Sequence, residues 1–313
     1  MELAIARDSH YLGGGTNLVD LMKGGVTQPR RVIDITGLPL ASIESLPDGG
    51  VMLGALARNS DAANHPLIRS RYPLLSQAFL AGASPQLRNM ATIGGNLLQR
   101  TRCYYFTDTS FPMCNKRLPG SGCAAREGYN RIHAILGASD ACVATNPSDM
   151  SVALVALDAT VRVQSRSANR TIPIGAFHRL PGNTPERDTE LAPGELITGV
   201  VLPRSPFAAH SCYLKVRDRA SYAFALVSAA VALDLEGPRI QDCRIVLGGV
   251  AHKPWRALNV EAQLRGRDLD QALIGAAASY AAAGAQPLAH NGFKVALAQR
   301  AVARALRTAA GLS

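Results

Sequence analysis

The chain has 313 residues, 47% apolar and 18% charged, with a net charge of +10. That length suits two or three packed subdomains rather than one small core, and the balance excludes disordered and fibrous classes. The charge fits an acidic partner or an anionic cofactor, and no helix-turn-helix, RNA-binding or zinc-finger pattern directs it to nucleic acid. No run reaches the roughly 20 apolar residues of a membrane span, and MELAIARDSHYLGGG lacks a signal-peptide core.

In chain order, HYLGGGTNLVDLMKGG reads as a strand end, a glycine turn and a short helix from about Leu18 to Lys23, stopped by Gly24-Gly25. RRVIDIT and GVMLGALA read as apolar strands, and LLSQAFLAGAS as a helix before Pro85. NMATIGGNLLQ follows as a second glycine turn after a strand-like run. Ser148 is expected to cap a helix running from Asp149 to about Leu157, with a strand after it. GELITGVVLP reads as a further strand. Near Ala208 the character changes: CYLKVRDRASYAFALVSAAVALDL and CRIVLGGVAHKPWRA predict strands and a helix of a second domain. QALIGAAASYAAAGA and FKVALAQRAVARALRTAA predict two closing helices.

Glycine turns bind phosphate because backbone N–H groups converge where no side chain blocks the approach. GGGTN lacks both the P-loop GK[ST] and the dinucleotide G-x-G-x-x-G, so taken alone each turn also reads as a tight turn without a ligand. Two such turns in one domain suit a diphosphate held between them.

Residues 97 to 132 contain Pro112, Pro119, Gly120, Gly122 and Gly128 and promise little regular structure. A loop of this length in a compact domain is usually functional or disordered, and Tyr104, Tyr105, Phe106 and Phe111 argue against disorder. Cys103, Cys114, Cys123 and Cys142 are separated by ten, eight and eighteen residues. That spacing contains no C-x-x-C and is neither a zinc ribbon nor a ferredoxin run. Four thiolates are nonetheless what a [4Fe–4S] cluster needs. Structural zinc, disulfides and idle thiols remain the alternatives at this point. Arg88, Arg100, Arg102, Lys116, Arg117, Arg126 and Arg131 against Asp108 and Glu127 would give an anionic cluster a basic surround. Cys212 and Cys243 sit in strand-like apolar contexts and read as core thiols.

Together these motifs resemble the FAD-binding (medium) subunit of the xanthine dehydrogenase and molybdenum hydroxylase family. The resemblance rests on GGGTNLVDLMK, ATIGGN, CVATNPSDMSVALVALDATV, KVRDRASYAFALVSAAVAL and RIVLGGVAHKPWRA, and covers nearly the whole chain. The insert with RCYYF, PMCNKR and PGSGCAA is similar to that of the iron–sulfur flavoprotein subunit of the periplasmic aldehyde oxidoreductase type.

The resemblance implies an α+β protein: a two-lobed PCMH-type FAD-binding domain over residues 1–206, with a cluster loop at about 97–142, then a C-terminal CO-dehydrogenase-flavoprotein-like α+β domain over 207–313. It implies FAD held by Gly13, Gly14, Gly15, Thr16, Asn17 and Leu18 on the first loop and Thr92, Ile93, Gly94, Gly95 and Asn96 on the second. Ile197 is implied as an apolar backbone contact and Lys215 as a lysine near the flavin ring; read by itself, Lys215 is a strand lysine facing solvent. Cys103, Cys114, Cys123 and Cys142 are the implied ligands of a [4Fe–4S] cluster. The implied role is electron transfer in a heterotrimer with a molybdenum-cofactor large subunit and a [2Fe–2S] small subunit, delivering electrons to an external acceptor. The compartment is then the periplasm, by co-export with a signal-bearing partner, or the cytoplasm.

Two departures from the family stand out. The segment before the first glycine loop, 12 residues, is shorter than the family's, and Tyr105 replaces an aspartate that many relatives carry nine residues after the Asn96 position. The short start suggests the alternative of a non-catalytic assembly subunit with a structural metal and a degenerate flavin site.

Overall fold

A computed structural model describes residues 8–312. Residues 1–7, on which the absence of a signal-peptide core was read, lie outside them. The chain opens with a parallel pair, β1 (Ser9–Leu12) and β2 (Arg31–Asp34), joined through the first glycine turn and the predicted Leu18–Lys23 helix. A five-stranded antiparallel sheet follows: β3 (Ile43–Ser45), β4 (Val51–Gly54), β5 (Thr160–Gln164), β6 (Asn169–Pro173) and β7 (Leu196–Leu202), in the order β3-β4-β7-β5-β6. β4 and β5 flank β7 although about a hundred residues separate them in sequence, and the cysteine loop lies within that excursion.

The second sheet is antiparallel, in the order β11-β10-β9-β8: β8 (Ser211–Val216), β9 (Val227–Glu236), β10 (Arg239–Gly248) and β11 (Trp255–Arg256). Its middle is buried on both faces, which is why VSAAVAL reads as an unbroken apolar run rather than an alternation. Ala230, Ala232 and Val246 face the first core, with Leu53, Phe79 and Val200. Val231, Leu233, Ile245 and Leu247 face the other way, onto Ala298, Val302 and Leu306 of the closing helix Phe293–Ala310. Each fully buried Val or Leu in these layers contributes roughly 1.5–3 kcal/mol over exposure.

The Asp149–Ala156 helix sits between the two sheets' units, and all eight of its residues are buried. A helix apolar all round is stable only inside such a sandwich. Its cap is the one expected: Ser148 Oγ accepts from the Ser151 N–H at 3.0 Å. The second glycine turn differs from expectation. No strand leads into it; Gly94 and Gly95 lie in a short helix, Ile93–Leu97, capped by Thr92. The run before it forms one isolated β-bridge, Arg58 to Thr92, and the Ala91 carbonyl accepts from the Asn59 N–H at 2.8 Å.

As expected, residues 97–132 carry almost no regular structure, the Tyr104–Thr107 helix being the exception after Leu97, and the irregular chain continues to the Asp149 helix. The loop is held from outside. Lys294, fully buried at the start of the closing helix, donates to the carbonyls of Ile132, His133 and Gly249 at 2.9, 2.9 and 2.8 Å. Asn291 Nδ2 adds bonds to the His133 and Ala134 carbonyls, both at 3.2 Å. Among the described residues, no helix is long and apolar enough to cross a membrane.

Replacing Lys294 with Met would take the ammonium donor from the Ile132 and Gly249 carbonyls and leave the His133 carbonyl with Asn291 alone. The expected cost is about 3 kcal/mol in urea melts. Unchanged stability would show that the anchor is dispensable.

Candidate functional site

The two glycine loops meet. A Cβ on Gly14 would lie 1.8 Å from the Met90 carbonyl oxygen, so only glycine permits the approach. Gly15 has φ +73°, a left-handed conformation that lets the chain turn into the Leu18–Lys23 helix. On the second loop Thr92 Oγ1 accepts from the Gly95 N–H at 3.2 Å. Side chains then tie the loops to their surroundings. Asn17 Oδ1 accepts from the Arg100 N–H at 3.0 Å. Asn96 Oδ1 accepts from Gln99 Nε2 and Ser148 Oγ at 2.6 and 2.7 Å.

These loops form one wall of a cleft of about 570 Å³. Gly15, Thr16, Asn17, Gly95 and Asn96 line it; Phe79, Gly82, Ala83 and Asp149 form its floor; Arg219, Tyr222 and Phe224 close it from the β8–β9 connection. A further cleft of about 800 Å³, lined by His10, Leu98 and Arg100 among others, shares Gln99 and Pro147 with it, so the groove continues past the loops.

Three buried polar atoms on the first cleft's wall have no protein partner: Asn17 Nδ2, Asn59 Oδ1 and Arg102 Nε. Buried donors and acceptors are rarely left unmet, so these await a polar molecule. Glycine-lined walls, unmet donors and an aromatic lip fit a flavin dinucleotide.

The other implied residues sit behind the wall. Gly13, Gly14, Leu18, Thr92, Ile93 and Gly94 shape the loops without lining the cleft, and Ile197 is buried in the first core. Lys215 does not face solvent. Its side chain is 4% exposed and donates to Asp149 Oδ2 at 2.8 Å and to the Ala81 carbonyl at 3.1 Å. Tyr213 Oη donates to the other oxygen of Asp149 at 2.6 Å, and burial beside that carboxylate drives the phenol pKa up. Asp149 thus presents a cleft-lining carboxylate backed by a buried lysine.

The four cysteines of the loop come together. Cys103, Cys114, Cys123 and Cys142 all line one small cavity, with Cys123 the least buried. All six cysteines of the chain are free, and Cys212 and Cys243 lie apart in the second core. Burial pushes the Cys103 thiol up to about 12 and the Cys142 thiol up to about 11, Lys116 opposing the latter. Among the described residues, no three His, Cys, Asp or Glu side chains converge as a single-ion site.

The expected basic surround is thinner than its count. Of the seven cations only Lys116 lines the cavity. Arg100 pairs with Asp188, Arg102 with Asp20, Arg126 with Asp140 and Arg131 with Asp218. Arg88 donates to the Gly82 carbonyl and Arg117 to loop carbonyls. Tyr105, in the place of the family's aspartate, lines the cysteine cavity and accepts from the Tyr129 N–H at 2.6 Å. Asp108 is at an exposed turn, accepting from the Ser110 N–H.

A two-lobed, glycine-looped domain followed by an α+β domain, with a dinucleotide cleft between them, defines the class of FAD-binding flavoprotein subunits. The FAD-binding domain of molybdopterin dehydrogenases matches residues 2–205, and the CO dehydrogenase flavoprotein C-terminal domain matches residues 212–309. The chain is 52% identical over 302 residues to the aldehyde oxidoreductase FAD-binding subunit PaoB of Escherichia coli (strain K12), covering 96% of this chain and 91% of that one. It is 31% identical to the glyceraldehyde dehydrogenase medium chain of Sulfolobus acidocaldarius, covering 84% and 75%. Among solved structures, carbon monoxide dehydrogenase from Hydrogenophaga pseudoflava superposes with a TM-score of 0.75 at 26% identity, over 98% of this chain and 91% of that one. The chain belongs to the FAD-binding medium subunits of the molybdenum hydroxylase family. It is an FAD-binding subunit of an oxidoreductase.

Gly14→Ala would force the loops apart. Flavin retained after gel filtration is expected to fall, with FAD binding at least about tenfold weaker, the equivalent of 1.4 kcal/mol. Full retention would mean the close approach is not needed.

Asp188 offers a pH test. Burial alone would raise its carboxyl, but Lys116, Arg100 and His252 outweigh it and hold it at about 2, below the ordinary 3.8. Its ion pairs therefore add stability fully above about pH 4, and that increment disappears as pH falls through 2. Asp188→Asn should cost about 3 kcal/mol at pH 7, because Lys116 stays buried, and should flatten the acid limb of the stability curve. An acid limb identical to wild type would contradict this.

Proposed function

We propose that this chain is the electron-transfer subunit of a molybdenum-dependent aldehyde oxidoreductase, carrying FAD and a [4Fe–4S] cluster. Its partners in a heterotrimer are a molybdenum-cofactor large subunit and a [2Fe–2S] small subunit, and its electrons go to an external acceptor. The aldehyde class is supported by two relatives whose names specify it, the Escherichia coli and Sulfolobus acidocaldarius subunits. We put the domain boundary at 206/207, where the chain passes from the five-stranded sheet to the second sheet.

One observation carries the cluster reading. Four cysteines spread over forty residues of irregular chain line a single cavity, while the two others do not. Four thiols on one cavity suit a cluster, where each thiolate takes a different iron.

When bound, FAD and the cluster supply the electron-accepting chemistry, and the chain supplies binding, orientation and electrostatics. Gly15, Thr16, Asn17, Gly95 and Asn96 offer backbone and amide groups to the diphosphate. Gly13, Gly14, Leu18, Thr92, Ile93 and Gly94 hold those loops in register, and Ile197 supports the second loop from β7. Lys215 acts through Asp149: its ammonium neutralises the carboxylate that faces the cleft, keeping net negative charge from a reduced flavin. Phe224 and Tyr222 exclude water from the mouth.

Cys114→Ser tests the ligand set. Iron in the purified protein should fall well below the roughly four atoms of wild type while at least half the FAD remains. Full iron with an unchanged electron paramagnetic resonance (EPR) spectrum would remove Cys114 from the ligands.

A further inference from the structure

One hydrogen bond at the cysteine cavity comes from outside its lining. His133 Nε2 lies 3.0 Å from Cys103 Sγ. Both residues are buried, His133 at 1% and Cys103 at 7% exposure. The other ring nitrogen, Nδ1, is buried with no partner.

That orphan nitrogen decides the direction of the bond. A thiol donating to Nε2 would leave the ring's one proton on Nδ1, as a buried N–H with no acceptor. Such a group costs about 1–3 kcal/mol and is rare. A ring protonated at Nε2 instead spends its N–H on the sulfur and leaves only a lone pair on Nδ1. The sulfur is then a pure acceptor, as a metal-bound thiolate is and a protonated thiol is not.

The ring is held in this pose by the second domain. The His133 carbonyl accepts from Lys294 Nζ and Asn291 Nδ2, and its N–H donates to the Asn130 carbonyl at 3.1 Å. The ring also packs at 43° against Tyr105, with centroids 6.2 Å apart. Cys142 Sγ, by contrast, faces a backbone N–H, that of Ala144, at a longer 3.5 Å.

We propose that His133 is a positioning residue that donates a hydrogen bond from Nε2 to the Cys103 sulfur and so raises the reduction potential of the cluster. This rests on the cluster reading above. The bond withdraws negative charge from the sulfur, which favours the more negative reduced state, and hydrogen bonds to sulfur are among the determinants of cluster potential. His133 has no role in binding flavin and is not a metal ligand.

The test is a potentiometric titration followed by EPR on the anaerobically purified heterotrimer, with wild type, His133→Leu and His133→Gln. Glutamine keeps an N–H donor near the Nε2 position. His133→Leu should keep its iron and disfavour reduction about tenfold, or about 59 mV more negative for a one-electron couple. His133→Gln should recover at least half of that shift. An unshifted potential in an iron-replete His133→Leu protein would overturn the proposal. So would equal iron loss in both variants, which marks a merely structural role. A second measurement needs no variant: reduced wild type labelled with ¹⁵N-histidine should show a histidine nitrogen coupling in pulsed EPR, together with an exchangeable proton. Absence of that coupling from a reduced, iron-containing sample would also overturn it. A wild-type subunit without iron would sink the cluster reading itself, and this inference with it.

Discussion

A buried ammonium with three carbonyl partners holds the candidate site together. Lys294 ties the end of the cysteine loop to the closing helix of the other domain. Such an anchor adds to the loop's own small apolar cluster around Cys103, Phe106 and Val143 in offsetting the entropy of ordering a segment with almost no helix or strand. At the loop's other flank, Arg100 and Lys116 both reach Asp188, and Lys116 also donates to the Pro185 carbonyl. The cysteine loop is therefore held from two sides, by the closing helix and by the segment around Asp188.

The same loop serves two sites. Gln99 and Arg102 line the flavin cleft, whereas Thr101 and Cys103 line the cysteine cavity. One peptide bond separates Arg102 on one wall from Cys103 on the other. Arg102 lies with its guanidinium 5.0 Å from the Phe224 ring at the cleft mouth and pairs with Asp20 behind the first glycine loop. A shift of this short segment would be felt in both places.

Much of the fold was legible because its signals are local. The Leu18–Lys23 helix, the Ser148 cap and the Phe293–Ala310 helix follow from glycine stops, capping chemistry and apolar periodicity, and they stand where expected, whereas QALIGAAASYAAAGA is helical only over Gln271–Ala278 and then breaks into turns. The glycine loops were legible as turns, but that Gly14 must touch Met90 was not, since the two are 76 residues apart. Lys215 read alone looks like a strand lysine in water; its burial depends on Asp149, 66 residues away. The count of basic residues around the cysteines misled for the same reason, because their acidic partners Asp20, Asp188 and Asp218 lie far off in sequence. His133 sits in the apolar run IHAILG, where a lone histidine beside a cysteine loop was the only available signal.

On the proposed reading one chain carries both FAD and a four-iron cluster. The most direct measurement is the visible spectrum with iron and flavin analysis of the anaerobically purified subunit, co-expressed with its partners and corrected for their centres. The account expects one FAD and about four irons per chain, with bleachable flavin bands over a broad iron–sulfur shoulder. FAD with no iron, or a single zinc in its place, would contradict it.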